Sequence, residues 1–359
     1  MAQIRPIIVA TGCCIPPVRV TNDQFLGHQF CDAHGRLLDK PNADILEQFV
    51  TITGIHERRY ASDATVASDL ATEAAEQAFE SSGVDREQLD LVIVAHNFGD
   101  VRAGSHRSDM VPCLASRVKR SLGIRNPSTV AYDLIFGCPG WLQGMINTAC
   151  LIRSGEIRRA VVIGAETLSR VSDPHDRDSL IYADGAGATI LEGIEDAAEV
   201  GILSHAMRSD TIDHGLMLTM QPSNRPGALG DALFLKMEGR KLYKYALKTV
   251  AGAMKDCLDA AGLHLSAIKK IILHQANDKM DEAIVTSLFE LYGIHDIPVG
   301  ICPMTISWLG NSSVATIPTL FDLLLRGQLE NQKVGSGDAL VFASVGAGMN
   351  INAFLYRMP

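Results

Sequence analysis

LDLVIVAHN at residues 89–97 and IKKIILHQAN at residues 268–277 are one phrase written twice. Each is an apolar, β-branched run of strand length that ends at a histidine, His96 in the first copy and His274 in the second. Such runs, without polar alternation, read as strands buried on both faces. Two more echoes follow in the same order. RRAVVIGAE at 158–166 matches GDALVFASV at 337–345, and the helical stretch at 138–155 matches that at 311–327. All three offsets are close to half of the 359 residues. No short-period repeat is present, so the pattern indicates two fused, similar halves rather than a solenoid. The polar segment EGIEDAAEV at 192–200 separates them, which predicts one half at 1–197 and the other at 198–359. No flexible linker joins the halves, so they are expected to share an interface, and ligand sites favour interfaces.

Outward from these phrases, strand-like runs at 91–95, 160–163, 271–273 and 339–342 alternate with helical patterns at 67–81, 110–122, 140–153 and 240–261. That alternation predicts an α/β architecture with largely parallel sheets. The apolar stretch at 7–15 runs into Pro16 and Pro17 without a basic leader and reads as a first strand, not a signal peptide. Two segments, 97–109 and 208–233, lack sustained periodicity and read as insertions.

Hydrophobic residues make up 47% of the chain and charged residues 20%, which suits a globular protein with a sizeable core. The net charge of -9, with no long basic run, argues against nucleic acid as a main partner. No apolar run reaches roughly 18 residues, so no membrane span is expected. The eight cysteines are irregularly spaced, with no C-x-x-C pair. They read as reduced thiols in a cytoplasmic protein.

Three positions invite chemistry. In STVAYDLIFGCPGWLQGMINTACLIRSG (128–155), Cys138 stands among small residues where an apolar run turns into a helical pattern. A helix N-terminus favours a thiolate, and Pro139 suits a first helical turn. The same cysteine also reads as a small buried hydrophobe, as do the other seven. His274 closes a buried run at the end where parallel sheets gather functional groups, yet it also reads as a satisfied core histidine. For His96 the core reading is preferred. In SWLGNSSVATIP, Asn311 opens a helical pattern at the place equivalent to Cys138. It reads either as a helix N-cap or as an amide donor to a developing oxyanion. The last apolar run leads into the Gly-rich turn of FASVGAGMN. Dinucleotide, serine-hydrolase and metal-ligand patterns are missing.

Taken together, Cys138 in a G-C-P-G turn, HQAN at 274–277, GNSS at 310–313, DGAGAT at 184–189 and the terminal Gly turn resemble the β-ketoacyl-ACP synthase III family of the thiolase superfamily. The resemblance runs from about Ile7 to the C-terminus. It implies a thiolase-like five-layer α-β-α-β-α fold made of two duplicated halves, usually a homodimer. It also implies an acyltransferase in which Cys138 takes an acyl group from a thioester. His274 and Asn311 would then stabilise the enolate of a malonyl- or β-ketoacyl-type thioester, and the backbone N–H groups of Cys138 and Ala347 would form the oxyanion hole. No metal or other cofactor is implied. The partner implied is acyl carrier protein, with Lys279 facing it and Arg177 near the nucleotide end of a coenzyme A donor.

Departures from the family sharpen the expectation. Gln48 and Ile52 stand where the family clasps the coenzyme A adenine with an aromatic residue and an arginine, which favours a carrier-bound donor. Val111 stands where a residue of the partner subunit closes the acyl pocket, and its small side chain suggests a longer acyl chain. Head-to-head condensing relatives carry a Glu near that place, and Val111 cannot act as a base. The leading expectation is a decarboxylating ketosynthase of specialised metabolism. A non-decarboxylating head-to-head (Claisen) enzyme, a dialkylresorcinol-type ketosynthase and a non-catalytic acyl- or carrier-binding subunit stand as alternatives.

Overall fold

The computed structural model describes residues 3–196 and 198–359. The run at 91–95 is the strand Leu91–Ala95, buried at every position. It lies between Val130–Leu134 and Arg159–Thr167, parallel to both. Asp184–Asp196 and then Gln3–Cys14 extend this first sheet antiparallel. The second sheet repeats the plan. Ile268–Leu273 runs parallel to Ala339–Gly346, and Asn350–Arg357 and Gly201–Ser209 extend it antiparallel. The phrases that echo in the sequence therefore occupy the same place in the two sheets.

Parallel neighbours need crossovers, and the helices supply them. Ala67–Ser82 and Leu114–Ser121 cover the outer face of the first sheet, and Gly239–Ala260 and Asp278–Glu290 that of the second. Gly140–Ser154 and Thr316–Leu325 lie between the sheets. The result is the thiolase-like α-β-α-β-α stack. The central helices are apolar nearly all round because both their faces are covered. Trp141, Met145, Leu320 and Phe321 are fully buried there, against Phe342 and Phe354, whose rings stack at 4.6 Å.

Two glycines set how closely the halves meet. A Cβ on Gly164 would lie 2.3 Å from the Val314 carbonyl oxygen, and one on Gly187 would lie 2.7 Å from Thr319 N. Only bare backbone lets the segment after Asn311 rest on the first sheet, and that contact carries Asn311 toward Cys138.

Some boundaries differ from expectation. The helix expected over 110–122 starts at Leu114, because Pro112 drives Val111 out of the helical region. The segment 208–233, expected to be irregular, holds the strand Leu218–Pro222, which pairs antiparallel with Leu233–Met237. The helix expected from Asn311 begins at Thr316, after a tighter turn over Ser313–Ala315. Asp184–Asp196 runs through the first part of the polar segment 192–200, and the expected boundary between 197 and 198 falls at Ala197, outside the described residues.

Candidate active site

Cys138, His274 and Ala347 are delivered by junctions after strands, and Asn311 by the turn after the short helix Ile306–Leu309. Val130–Leu134 ends, Gly137 turns the chain at φ +67°, and Cys138 precedes the helix Gly140–Ser154. A Cβ on Gly137 would lie 2.7 Å from Ala347 N, and one on Gly346 would lie 2.4 Å from Cys138 N. The two glycines thus let the main chains of Cys138 and Ala347 touch. His274 follows Ile268–Leu273, and its N–H continues the ladder to Ala343 O at 3.0 Å. Asn311 is stitched to the first half: its N–H donates to Ile181 O at 2.9 Å, and its carbonyl accepts from Ala183 N at 2.8 Å. Cys138, His274, Asn311 and Ala347 line one cavity of about 410 Å³, so all four expected groups come together.

The hydrogen bonds fix what each group presents. Asn311 Oδ1 accepts the Ser313 N–H at 2.8 Å. A main-chain N–H can only donate, so the amide oxygen is spoken for and the NH2 is the group left to serve the cavity. This i to i+2 bond replaces the N-cap role weighed for Asn311. Nδ1 of His274 is buried without a hydrogen-bond partner among the described residues. Burial pushes the imidazole down to about 4, with the Ser313 main chain pulling the other way, so the ring is neutral at pH 7. Burial pushes the Cys138 thiol up to about 11, while the Ser313 hydroxyl, 3.2 Å from the sulfur, lowers it and the carboxyl of Glu166 raises it. Desolvation outweighs the lowering contacts, against the thiolate-favouring helix terminus expected from the sequence.

A second cavity, about 480 Å³, adjoins the first and shares Ile181, Met237, Leu242, Ala276 and Met280 with it. Arg177, Lys279 and Arg240 line it, as do Gln48 and Ile52. The second cavity is a mouth with three basic side chains and one carboxyl, Asp178, and the five shared residues set it against the cavity that holds the thiol. Val111 lines neither; it is 87% exposed on the surface. The unforeseen hairpin forms a wall of the inner cavity through Leu218, Met220, Leu235 and Met237. Between the last two, Lys236 points the other way and binds Asp173 and Asp176 of the first half at 2.5 and 2.9 Å. Strand alternation puts lining and anchor on opposite faces of one strand.

Sequence reasoning missed Asn97, Glu166, Ser313 and Arg240. Ser313 was in view within GNSS, but nothing local to Asn97 or Glu166 signals that they meet. Glu166 is 1% exposed, and burial raises its carboxyl to about 8. Among the described residues no cluster of metal-ligating side chains occurs, and no helix is long and apolar enough to cross a membrane.

Comparison with known proteins bears on this arrangement. Residues 132–211 match the family described as 3-oxoacyl-[acyl-carrier-protein] synthase III, and residues 258–358 match its C-terminal counterpart. A β-ketoacyl-[acyl-carrier-protein] synthase III of Erythrobacter litoralis is 30% identical over 357 residues, covering 99% of this chain and 100% of the relative. That of Novosphingobium aromaticivorans is 29% identical over 361 residues, with the same coverage. Among solved structures, the 3-oxoacyl-(acyl carrier protein) synthase III of Pseudomonas aeruginosa superposes with a TM-score of 0.80 at 26% identity, covering 99% of this chain and 98% of that one.

Proposed function

The chain belongs to the 3-oxoacyl-[acyl-carrier-protein] synthase III family and is an acyltransferase that condenses acyl thioesters; from that premise we propose that Cys138 carries the acyl group and that His274 and Asn311 complete its site. Cys138 sulfur attacks the thioester carbonyl, a new C–S bond forms, and the carrier thiol leaves with the proton. A thiol serves both halves of this exchange, as nucleophile and as leaving group. A malonyl-type thioester then loses carbon dioxide. The electron pair of the broken C–C bond passes to the thioester oxygen, where neutral His274 and the Asn311 NH2 donate hydrogen bonds. The enolate carbon attacks the acyl-Cys138 carbonyl, whose tetrahedral oxyanion is held by the N–H groups of Cys138 and Ala347. Collapse expels the Cys138 thiolate and releases the β-ketoacyl product.

The observation that carries this reading is the convergence of three strand junctions from both halves on one cavity. The halves 1–197 and 198–359 divide the work, one supplying Cys138 and the other His274 and Asn311. Acyl carrier protein is the proposed partner, its acidic surface meeting Arg177, Arg240 and Lys279 at the mouth. Gln48 and Ile52 at the same mouth offer no aromatic or arginine clasp for an adenine, which favours a carrier-bound donor over coenzyme A. The strand Val130–Leu134 is a sheet edge, and exposed Val130 and Ile135 flank it. Such an edge calls for a cover, and a second copy of the chain fits, with Val111 reaching the partner's pocket. The proposed setting is the cytoplasm.

The test is to mix the purified protein with acyl-carrier-protein and acyl-coenzyme A thioesters and to measure its intact mass. A gain of one acyl group, lost in Cys138→Ala, is expected. No adduct with any donor, or an adduct that survives in Cys138→Ala, would sink the assignment.

A further inference from the structure

Behind the thiol lies a line of hydrogen bonds that the condensation steps do not use. Asn97, at the end of Leu91–Ala95, donates both its main-chain N–H and its Nδ2 to Glu166 Oε1, at 2.8 and 2.5 Å. Asn97 Nδ2 also reaches Ser313 Oγ at 3.1 Å, and Ser313 Oγ reaches Cys138 Sγ at 3.2 Å. The four residues come from both halves of the chain and from segments far apart in sequence. Glu166 is buried at the end of the central strand Arg159–Thr167, where neighbouring strands hold it.

The sense of every bond in this line follows from its first member. A main-chain N–H only donates, so Glu166 Oε1 is an acceptor whether its carboxyl is ionised or protonated. With the proton of a neutral carboxyl on Oε2, Oε1 only accepts, and the Asn97 side-chain atom beside it is the NH2, the orientation in which Nδ2 lies on Oε1. The second hydrogen of that NH2 goes to Ser313 Oγ. With a lone pair occupied from behind, the Ser313 hydroxyl turns its own hydrogen toward the sulfur. If Asn97 were free to flip, its oxygen would face Ser313, the hydroxyl would donate backward, and a lone pair would face the thiolate. An amide does not pass protons along readily, so the line orients and does not relay.

We propose that Glu166, acting through Asn97, is a positioning residue that commits the Ser313 hydroxyl to donate to Cys138 Sγ. The inference rests on Cys138 being the nucleophile for its functional meaning, but its geometry does not. Ser313 is held rigidly enough for the task. It sits at φ +53°, in the left-handed region, with its N–H on Asn311 Oδ1, so one residue aligns both the nucleophile and the amide donor. Burial favours the neutral form of Glu166, and a neutral carboxyl orients Asn97 without repelling the thiolate.

The test is a double-mutant cycle read by the rate at which iodoacetamide alkylates Cys138 at pH 7 and across pH, in the intact protein. Ser313→Ala and Glu166→Leu are each expected to slow alkylation about tenfold, by loss of one hydrogen bond to a charged acceptor. Their combination is expected to be no slower than either alone, because both remove the same bond. Glu166→Gln keeps the acceptor oxygen and the neutral charge, so it is expected to restore most of the rate lost in Glu166→Leu. It also keeps the proposal testable if Glu166→Leu does not fold. Additive losses, no effect of Ser313→Ala, or a Glu166→Gln protein as slow as Ser313→Ala would overturn it. Acyl loading measured on the same proteins separates the two readings. Coupling in the cycle without loading on Cys138 would sink the proposed function alone, and loading with additive losses would sink this inference alone.

Discussion

His96 and His274 close equivalent strands in the two sheets, and they end in opposite conditions. His96 is fully buried with both nitrogens engaged: Nδ1 accepts from Gly99 N at 3.0 Å, so Nε2 carries the hydrogen and donates to Asp133 Oδ2 at 2.8 Å. Asp133 in turn accepts the N–H groups of Leu114 and Ala115, at the start of the outer helix Leu114–Ser121. His274 lines the cavity and leaves Nδ1 without a protein partner among the described residues. The duplicated scaffold thus offers the same position twice. Where the neighbours satisfy the imidazole, it is structural; where they do not, it has hydrogen-bonding capacity left for a substrate.

That contrast is breakable by substitution. His274→Ala is expected to slow condensation about a hundredfold or more, the scale of losing an oxyanion donor. Its thermal midpoint should change little beside that. His96→Ala should do the reverse, costing about 2–4 kcal/mol of stability through a cavity and the loss of the imidazole's hydrogen bond to the Asp133 carboxylate. Condensation per folded molecule should be preserved. Urea melts and steady-state rates on both proteins check this, and equal effects on activity would erase the distinction.

A pH series sharpens it. Burial holds the His274 imidazole down to about 4 in the folded protein, whereas an unfolded chain titrates near 6.5. Between those values the unfolded chain binds the extra proton, so this histidine lowers stability as pH falls from about 6.5 to about 4. The His274→Ala protein should lose less stability across that window than the parent. An identical pH slope in the two proteins would mean that His274 titrates alike folded and unfolded.

The smallest expected effect lies at the mouth. Lys279→Glu should raise KM for a carrier-bound donor about three- to tenfold at low salt, with the gap narrowing as salt rises. The kcat should hold. Loss of kcat instead would mean that the mouth reaches the chemistry.

The echo of the two halves was legible because strand-length apolar runs are local and each half repeats them. That Cys138, His274 and Asn311 line one cavity was legible only from their motifs taken together, because each alone also read as a core residue or a helix cap. Asn97 and Glu166 were not. One looked like the first residue of a loop and the other like the last of a strand, and what joins them is a sheet that brings together residues 69 apart. The hairpin 218–237 escaped for a different reason. Its alternation is too short to stand out, Leu218 to Gln221 in one strand and Leu235 to Met237 in the other, and the loop 223–232 between them is too long to carry a tight hairpin-turn signal. The helix start at Leu114, four residues later than the periodicity suggests, was readable in principle from Pro112.

The bare backbone at Gly164 and Gly187 gives the site a mechanical dimension. Cys138 belongs to one half and Asn311 to the other, so the gap between nucleophile and amide is a clearance set by how two slabs seat on each other. A methyl group at Gly164 would act as a shim. Every functional group would remain, and the tolerance between them would be wrong. Turnover on this scaffold would therefore answer to two variables, the identity of the reacting groups and the thickness of the seam that spaces them.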